Sequence, residues 1–170
     1  MSRKAVNRDI DALDLLRRDH DAIKQLFLDY QKLLGRHGSD DDKGEIVGRV
    51  CFEWCIHLQI EEEIFYPRAR AALGPSEQIE HALRDHGGSR DLIALLDEME
   101  PGDADFDATV AVLGAYVVPH IDEEQQDIFP LLLRAGLDTA ALGRQMAQHR
   151  KALLEDVTRI GLPVSMSAAA

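Results

Sequence analysis

The chain is short of cysteine, of positive charge and of long apolar runs. Cys51 and Cys55 are the only cysteines in 170 residues. That excludes a disulfide framework, and a chain of this length buries a core without one. The two stand four apart on an expected helix and read as small buried hydrophobes in a reducing compartment. Lys and Arg number 19 against 31 Asp and Glu, a formal net charge of −12. This balance argues against nucleic acid or an anionic membrane as partner, because both need clustered basic residues. A cation ligand suits it. The N-terminus, MSRKAVNRDIDALD, holds no apolar stretch of signal-peptide length. No run approaches the roughly 20 apolar residues of a membrane span. A soluble, cytoplasmic protein is therefore expected. Long period-two runs are missing too, and with them the pattern of half-buried strands.

What is present is a helical spacing of apolar residues, by threes and fours, almost throughout. It predicts a first helix over about 9–34, with Ile10, Leu13, Leu16, His20, Ile23, Phe27, Tyr30 and Leu34 on one stripe. GRHGSDDDKG (35–44) reads as a polar loop. A second helix is expected over 45–73, kinked or locally broken at Pro67. Ser76 is a good N-cap for a third, which reaches about Met99. Gly87 and Gly88 inside it cost roughly 1 kcal/mol each relative to alanine, and close helix packing would account for them. A fourth helix follows the turn at 101–107 and contains Pro119 and Pro130; a fifth opens at Asp138 and runs to about Ile160. Short loops make neighbouring helices antiparallel. The expected fold is all-α: an up-down-up-down four-helix bundle over 10–160 with an additional C-terminal helix. Residues 1–9 are expected to be disordered and 161–170 to form a flexible tail.

Two segments concentrate chemistry. HLQIEEEIFYP (57–67) and HIDEEQQDIFP (120–130) share a histidine, a glutamate four residues on and a proline ten residues on. Residues four apart on a helix differ by roughly 40° in direction, so His57 shares a face with Glu61, and His120 with Glu124. Both pairs lie on apolar stripes, where an unpartnered carboxylate is costly. The other long helices carry DHDAIKQL (19–26) and DHGGSRDL (85–92). His86 follows His20 by 66 residues, and His120 follows His57 by 63. The chain thus reads as a duplicated helical hairpin that brings four histidines and two glutamates to one level of the core. Imidazole and carboxylate together suit a two-metal site, with bridging glutamates holding the ions about 3.5 Å apart. Two octahedral ions need about twelve ligand positions. Four histidines, two bridging glutamates and one bridging oxide or hydroxide leave two open for O2, peroxide, NO or water. The Glu-x-x-His motif of ferritin-like bundles and the His-Glu-x-x-His motif of zinc proteases are both absent.

In order, the segments LLRRDHDAIKQLF, CIHLQIEEEIFYP, DHGGSRDLIALLDEM and YVVPHIDEEQQDIFP resemble the hemerythrin-like family, the HHE cation-binding domains. The resemblance spans about Ile10 to Arg159. It implies a four-helix bundle holding a non-haem di-iron centre, with two Fe ions bound by His20, His57, Glu61, His86, His120 and Glu124. Glu61 and Glu124 would be the bridges. The oxygen-carrying members have a fifth histidine one turn before the third-helix histidine; here that position is Ala82. They place the last carboxylate one residue later than Glu124. Pro119 precedes His120, where relatives carry a second histidine. His81 lies about 140° around the helix from His86 and should face away.

Other polar residues are read as supporting. His37 should be solvated, and His149 should pack in the core or an interface. Glu62 and Glu63 should form a solvated edge. Tyr116 and Glu53, each four residues before a ligand histidine, should pack or hydrogen-bond behind the site. Three functions stay open: binding of O2 or a related ligand for storage, delivery or sensing; a di-iron enzyme of stress defence that turns over peroxide or NO; and an iron-handling or regulatory bundle. A homodimer is compatible with each.

Overall fold

The computed structural model describes residues 11–160, and every element among them is helical. The segments expected to be disordered or flexible, 1–9 and 161–170, lie outside the described residues, as does Ile10. The elements are α1 (Ala12–Gly35), α2 (Asp40–Ile60), a π-helical turn π1 (Glu61–Phe65), α3 (Tyr66–Leu73), α4 (Glu77–Asp97), α5 (Phe106–Glu123), a second π-helical turn π2 (Glu124–Ile128), α6 (Phe129–Arg134) and α7 (Thr139–Ile160). α2, π1 and α3 form one continuous rod, as do α5, π2 and α6. With α1 and α4 they make the four-helix bundle, and α7 packs outside it against α1, α2 and π1.

Local chemistry sets the ends. Asp11 caps α1 through Oδ1, which accepts from the Leu13 and Asp14 N–H groups at 2.9 and 3.2 Å. Ser76 and Asp138 cap α4 and α7 as the sequence predicts. α2 starts five residues earlier than expected. Ser39 Oγ accepts from the Asp42 N–H at 3.1 Å, and Asp40, Asp41 and Asp42 fill the first turn. Acidic residues there complement the positive end of the helix dipole, so half of the polar run is helix, not loop.

Pro67 and Pro130 neither break nor end their rods. Each lies just past a π-helical turn, where the Tyr66 N–H bonds to the Glu61 carbonyl and the Phe129 N–H to the Glu124 carbonyl. Proline lacks an N–H and crowds the carbonyl four residues back; a turn widened by one residue relieves that crowding. Pro119 sits inside α5, which continues past it to Glu123.

The core has two apolar layers. One gathers Leu13, Leu16, Ile60, Phe65, Ile79, Ala82, Ile128 and Met146. The other gathers Ile23, Val50, Trp54, Leu96, Leu113 and Val117. Between them, along α1 and α4, lie His20 and His86. Gly88 admits a close approach: a Cβ there would stand 2.6 Å from Tyr116 Cε1. Gly87 faces open space, and nothing in the structure requires glycine there. Tyr116 does not point to the core as expected; it is 40% exposed and lies over Gly88. Cys51 and Cys55 are half-buried free thiols, and burial pushes Cys51 up to about 12.

Candidate metal centre

All six residues singled out from the sequence converge, and each is at most 2% exposed. α1 supplies His20, α2 His57, α4 His86 and α5 His120; the first residues of π1 and π2 are Glu61 and Glu124. The imidazoles form two pairs. His20 Nε2 faces His57 Nε2 at 3.2 Å, and His86 Nε2 faces His120 Nε2 at 3.3 Å.

Glu61 reaches both pairs with different oxygens. Oε1 lies 3.1 Å from His57 Nε2 and 4.0 Å from His20 Nε2. Oε2 lies 3.3 Å from His86 Nε2 and 3.9 Å from His120 Nε2. Glu124 instead directs one oxygen inward: Oε2 is 3.3 Å from His20 Nε2 and 3.8 Å from His120 Nε2. Its Oε1 accepts from the Tyr66 hydroxyl at 2.7 Å. Glu61 can therefore join two ions as a two-oxygen bridge, whereas Glu124 can share only one oxygen between them.

The outer nitrogens are held as well. His86 Nδ1 donates to Glu62 Oε1 at 2.8 Å, and Arg90 clamps both Glu62 oxygens at 2.8 Å. That fixes Nδ1 as the protonated nitrogen and leaves the Nε2 lone pair facing inward. Gln125 places its side-chain amide 2.9 Å from His20 Nδ1, Nε2 facing the ring; with the amide flipped, its carbonyl oxygen would accept from Nδ1 as Glu62 does from His86. Asp19 and Asp85 stand behind His57 and His120, at 3.8 and 3.9 Å from Nδ1. Arg150 of α7 binds Asp19 and Glu53. Trp54 stacks on His57, ring centroids 5.0 Å apart, and donates its indole N–H to Ser89.

Glu62 corrects the sequence reading: it is bound to His86, not part of a solvated edge. Glu63 lies 2.7 Å from His149 Nε2, so His149 docks α7 on π1 through an ionisable contact. Glu53 acts at one remove, through Arg150 and Asp19. His81 faces outward, 46% exposed. Sequence reasoning passed over Glu62, Gln125, Tyr66 and Asp19 as parts of the site. A usable signal was there: 62 and 125 follow the two glutamates, 19 and 85 precede two of the histidines, and the repeat offsets of 63 and 66 hold for these positions too.

The electrostatics demand a counter-charge. Burial disfavours charge on His57, but Glu61 and then Asp19 override it and lift the imidazole to about 10. Burial also works against the Glu61 carboxylate, and the surrounding histidines, His57 first, hold it well below its usual range. Even so, both Glu61 oxygens and Glu124 Oε2 have no aligned donor among the described residues. Buried carboxylate oxygens without donors are strongly unfavourable, and histidine nitrogens facing one another cannot all supply protons. The residues fit two cations. Four of them, His20, His57, Glu61 and Glu124, bring ligand atoms within 4.8 Å of one another, and so do Glu61, His86 and His120.

The family model of the hemerythrin HHE cation binding domain matches residues 11–132, so α7 lies beyond the match. A protein of Nostoc sp. (strain PCC 7120) named DNA nickase is 25% identical over 123 residues, covering 72% of this chain and 33% of that protein. The chain thus spans about a third of that relative's length. The crystal structure of a hemerythrin HHE cation binding domain-containing protein from Mycobacterium kansasii aligns with a TM-score of 0.69 at 20% identity, covering 89% of this chain and 94% of that one. That likeness is one of fold.

Proposed function

This chain belongs to the family of hemerythrin HHE cation-binding domains, and from that premise we propose that it is a non-haem di-iron protein binding O2 or a related small ligand. His20, His57, Glu61, His86, His120 and Glu124 would hold the two iron ions. The observation that carries this reading is Glu61: a fully buried carboxylate, without donors, whose two oxygens face two different histidine pairs. Iron bound there would supply redox-linked binding of O2, peroxide or NO. The chain's own residues supply the rest. Glu62 fixes the tautomer of His86, and the Gln125 amide orients the His20 ring through Nδ1. Tyr66 holds Glu124 Oε1 so that Oε2 faces inward. Trp54, Phe65 and Phe129 line the layer and exclude bulk water.

A second reading, turnover of peroxide or NO, has support from a cavity of about 20 Å³ lined by Gln78, Ala82, His120, Glu123, Glu124, Asp127 and Ile128. A water needs about 10–15 Å³, so one small molecule fits beside His120 and Glu124. Its wall carries ionisable groups that can pass protons, and proton supply favours reaction of a bound ligand over its reversible release. Metal content per chain, measured without an affinity tag, tests the shared premise: about two irons are expected. Reversible oxygenation of the reduced protein then supports binding, and steady decay of added peroxide or NO supports turnover. Zinc in place of iron, with no iron-dependent absorption, would sink both.

A further inference from the structure

Among the described cavities, the one lined by Ala82 reaches His120 and Glu124, and a second lies next to it. A surface depression of about 280 Å³ is lined by Glu77, Gln78, His81, Arg84 and Glu123. It shares Gln78 and Glu123 with the inner cavity, so those two side chains stand between solvent and the centre.

At this mouth three potential ligands converge. His81 Nδ1 lies 3.3 Å from Asp85 Oδ2 and 3.2 Å from Glu123 Oε2. These are the separations of donor atoms that share one ion at about 2.1 Å. Asp85 Oδ2 is also 3.9 Å from Nδ1 of the buried His120, so one carboxylate faces both the outer cluster and the inner site. A second observation shows what would pass. Glu124 lines the inner end, and its Oε2 is buried without a donor. The mouth itself is lined by two carboxylates, Glu77 and Glu123, against the single guanidinium of Arg84, and Asp85 adds a third carboxylate beside it through His81.

We propose that His81, Asp85 and Glu123 form a docking site for a divalent cation, at the mouth of the route by which the buried centre is filled. The proposal rests on the metal-centre reading above. One imidazole with two carboxylates suits borderline and hard divalent cations such as Fe2+. The acidic mouth concentrates them, and the outer ligands are exposed enough to release the ion inward. Gln78, neutral and flexible, separates the two cavities without an opposing charge.

Trp54 makes the test direct. It is the only tryptophan, and its ring centroid lies 5.0 Å from His57 and 5.4 Å from His120, so its fluorescence reports filling of the centre. Metal-free full-length protein is mixed anaerobically with Fe2+, and quenching is followed in wild type, His81→Ala, Glu123→Gln and Glu77→Gln. Filling should slow about tenfold in His81→Ala and in Glu123→Gln, within the 10- to 1,000-fold range of electrostatic and local-concentration effects. Final amplitude and iron content should match wild type. His81→Ala removes no negative charge, so its slowing reports ligation and not bulk attraction. Glu77→Gln, which lowers the mouth's charge but leaves the three ligands, should slow filling less. Equal rates in His81→Ala and wild type overturn the proposal. A loss of final iron content in His81→Ala overturns it too, since the cluster would then support the centre's structure and not its filling. A wild type that takes up no iron sinks the metal-centre reading itself.

Discussion

The two halves of the bundle present the same histidines and glutamates in different surroundings. In the first half, His20 Nδ1 meets the neutral amide of Gln125. In the second, His86 Nδ1 donates to the Glu62 carboxylate, itself held by Arg90. Asp19 behind His57 is fixed by Arg150 from α7, whereas its counterpart Asp85 behind His120 meets the exposed His81. Tyr66 ties down one oxygen of Glu124; the matching position is Phe129, which stacks on His20 and leaves both Glu61 oxygens free. A carboxylate behind an imidazole raises its strength as a ligand more than an amide does. On the di-iron reading, the repeated residues would make two inequivalent metal positions, the His86 side more electron-rich and nearer the cavity.

The largest effect should separate the two glutamates. Glu61→Ala removes an oxygen from each histidine pair and should abolish uptake of both ions. Glu124→Ala removes one shared oxygen and should leave at least about one ion per chain. Elemental analysis decides it, and equal losses would mean that the two carboxylates bridge alike. Next comes Tyr66→Phe. It leaves Glu124 Oε1 buried without its donor, at a cost of about 1–3 kcal/mol, readable as a lower denaturation midpoint of the metal-free chain. No change would show that Glu124 finds another partner.

Exchanging the groups behind the histidines is a finer probe. Glu62→Gln should weaken metal binding about tenfold, the lower end of outer-shell effects, and Gln125→Glu should strengthen it. Competition with a chelator gives both, and changes of the same sign would break the asymmetry argued above. The smallest effect is expected at the paired glycines. Gly87→Ala meets open space and should stabilise by about 0.5–1 kcal/mol through helix propensity. Gly88→Ala must displace the Tyr116 ring and should lose that gain. Thermal melts of the two variants suffice, and equal stabilisation would show that Tyr116 swings away freely.

Much of this was legible in the chain. Helical periodicity predicts all five helices, because each long helix buries one stripe. The repeat of histidine and glutamate at fixed offsets identifies the six buried polar residues, because spacing by four fixes direction on a helix. The start of α2 was misplaced: a serine cap followed by three aspartates is favourable helix chemistry that looks like loop composition. Tyr116 was placed inward by the same spacing rule that worked for His57. It failed there because Gly88 lets α4 and α5 approach and seats the ring at the surface.

By itself, then, the sequence determined the helices, the repeat, the six buried polar residues and the family, all of which follow from contacts within a turn or two of helix. Tertiary structure decided which oxygen of each glutamate faces which histidine, and which groups stand behind the imidazoles. It also set Gln78 and Glu123 between the inner cavity and the surface depression, and the reach of α7 to Asp19. Those depend on residues as far apart as Asp19 and Arg150, joined by packing between helices, and no local pattern encodes the rotation and offset at which two helices meet.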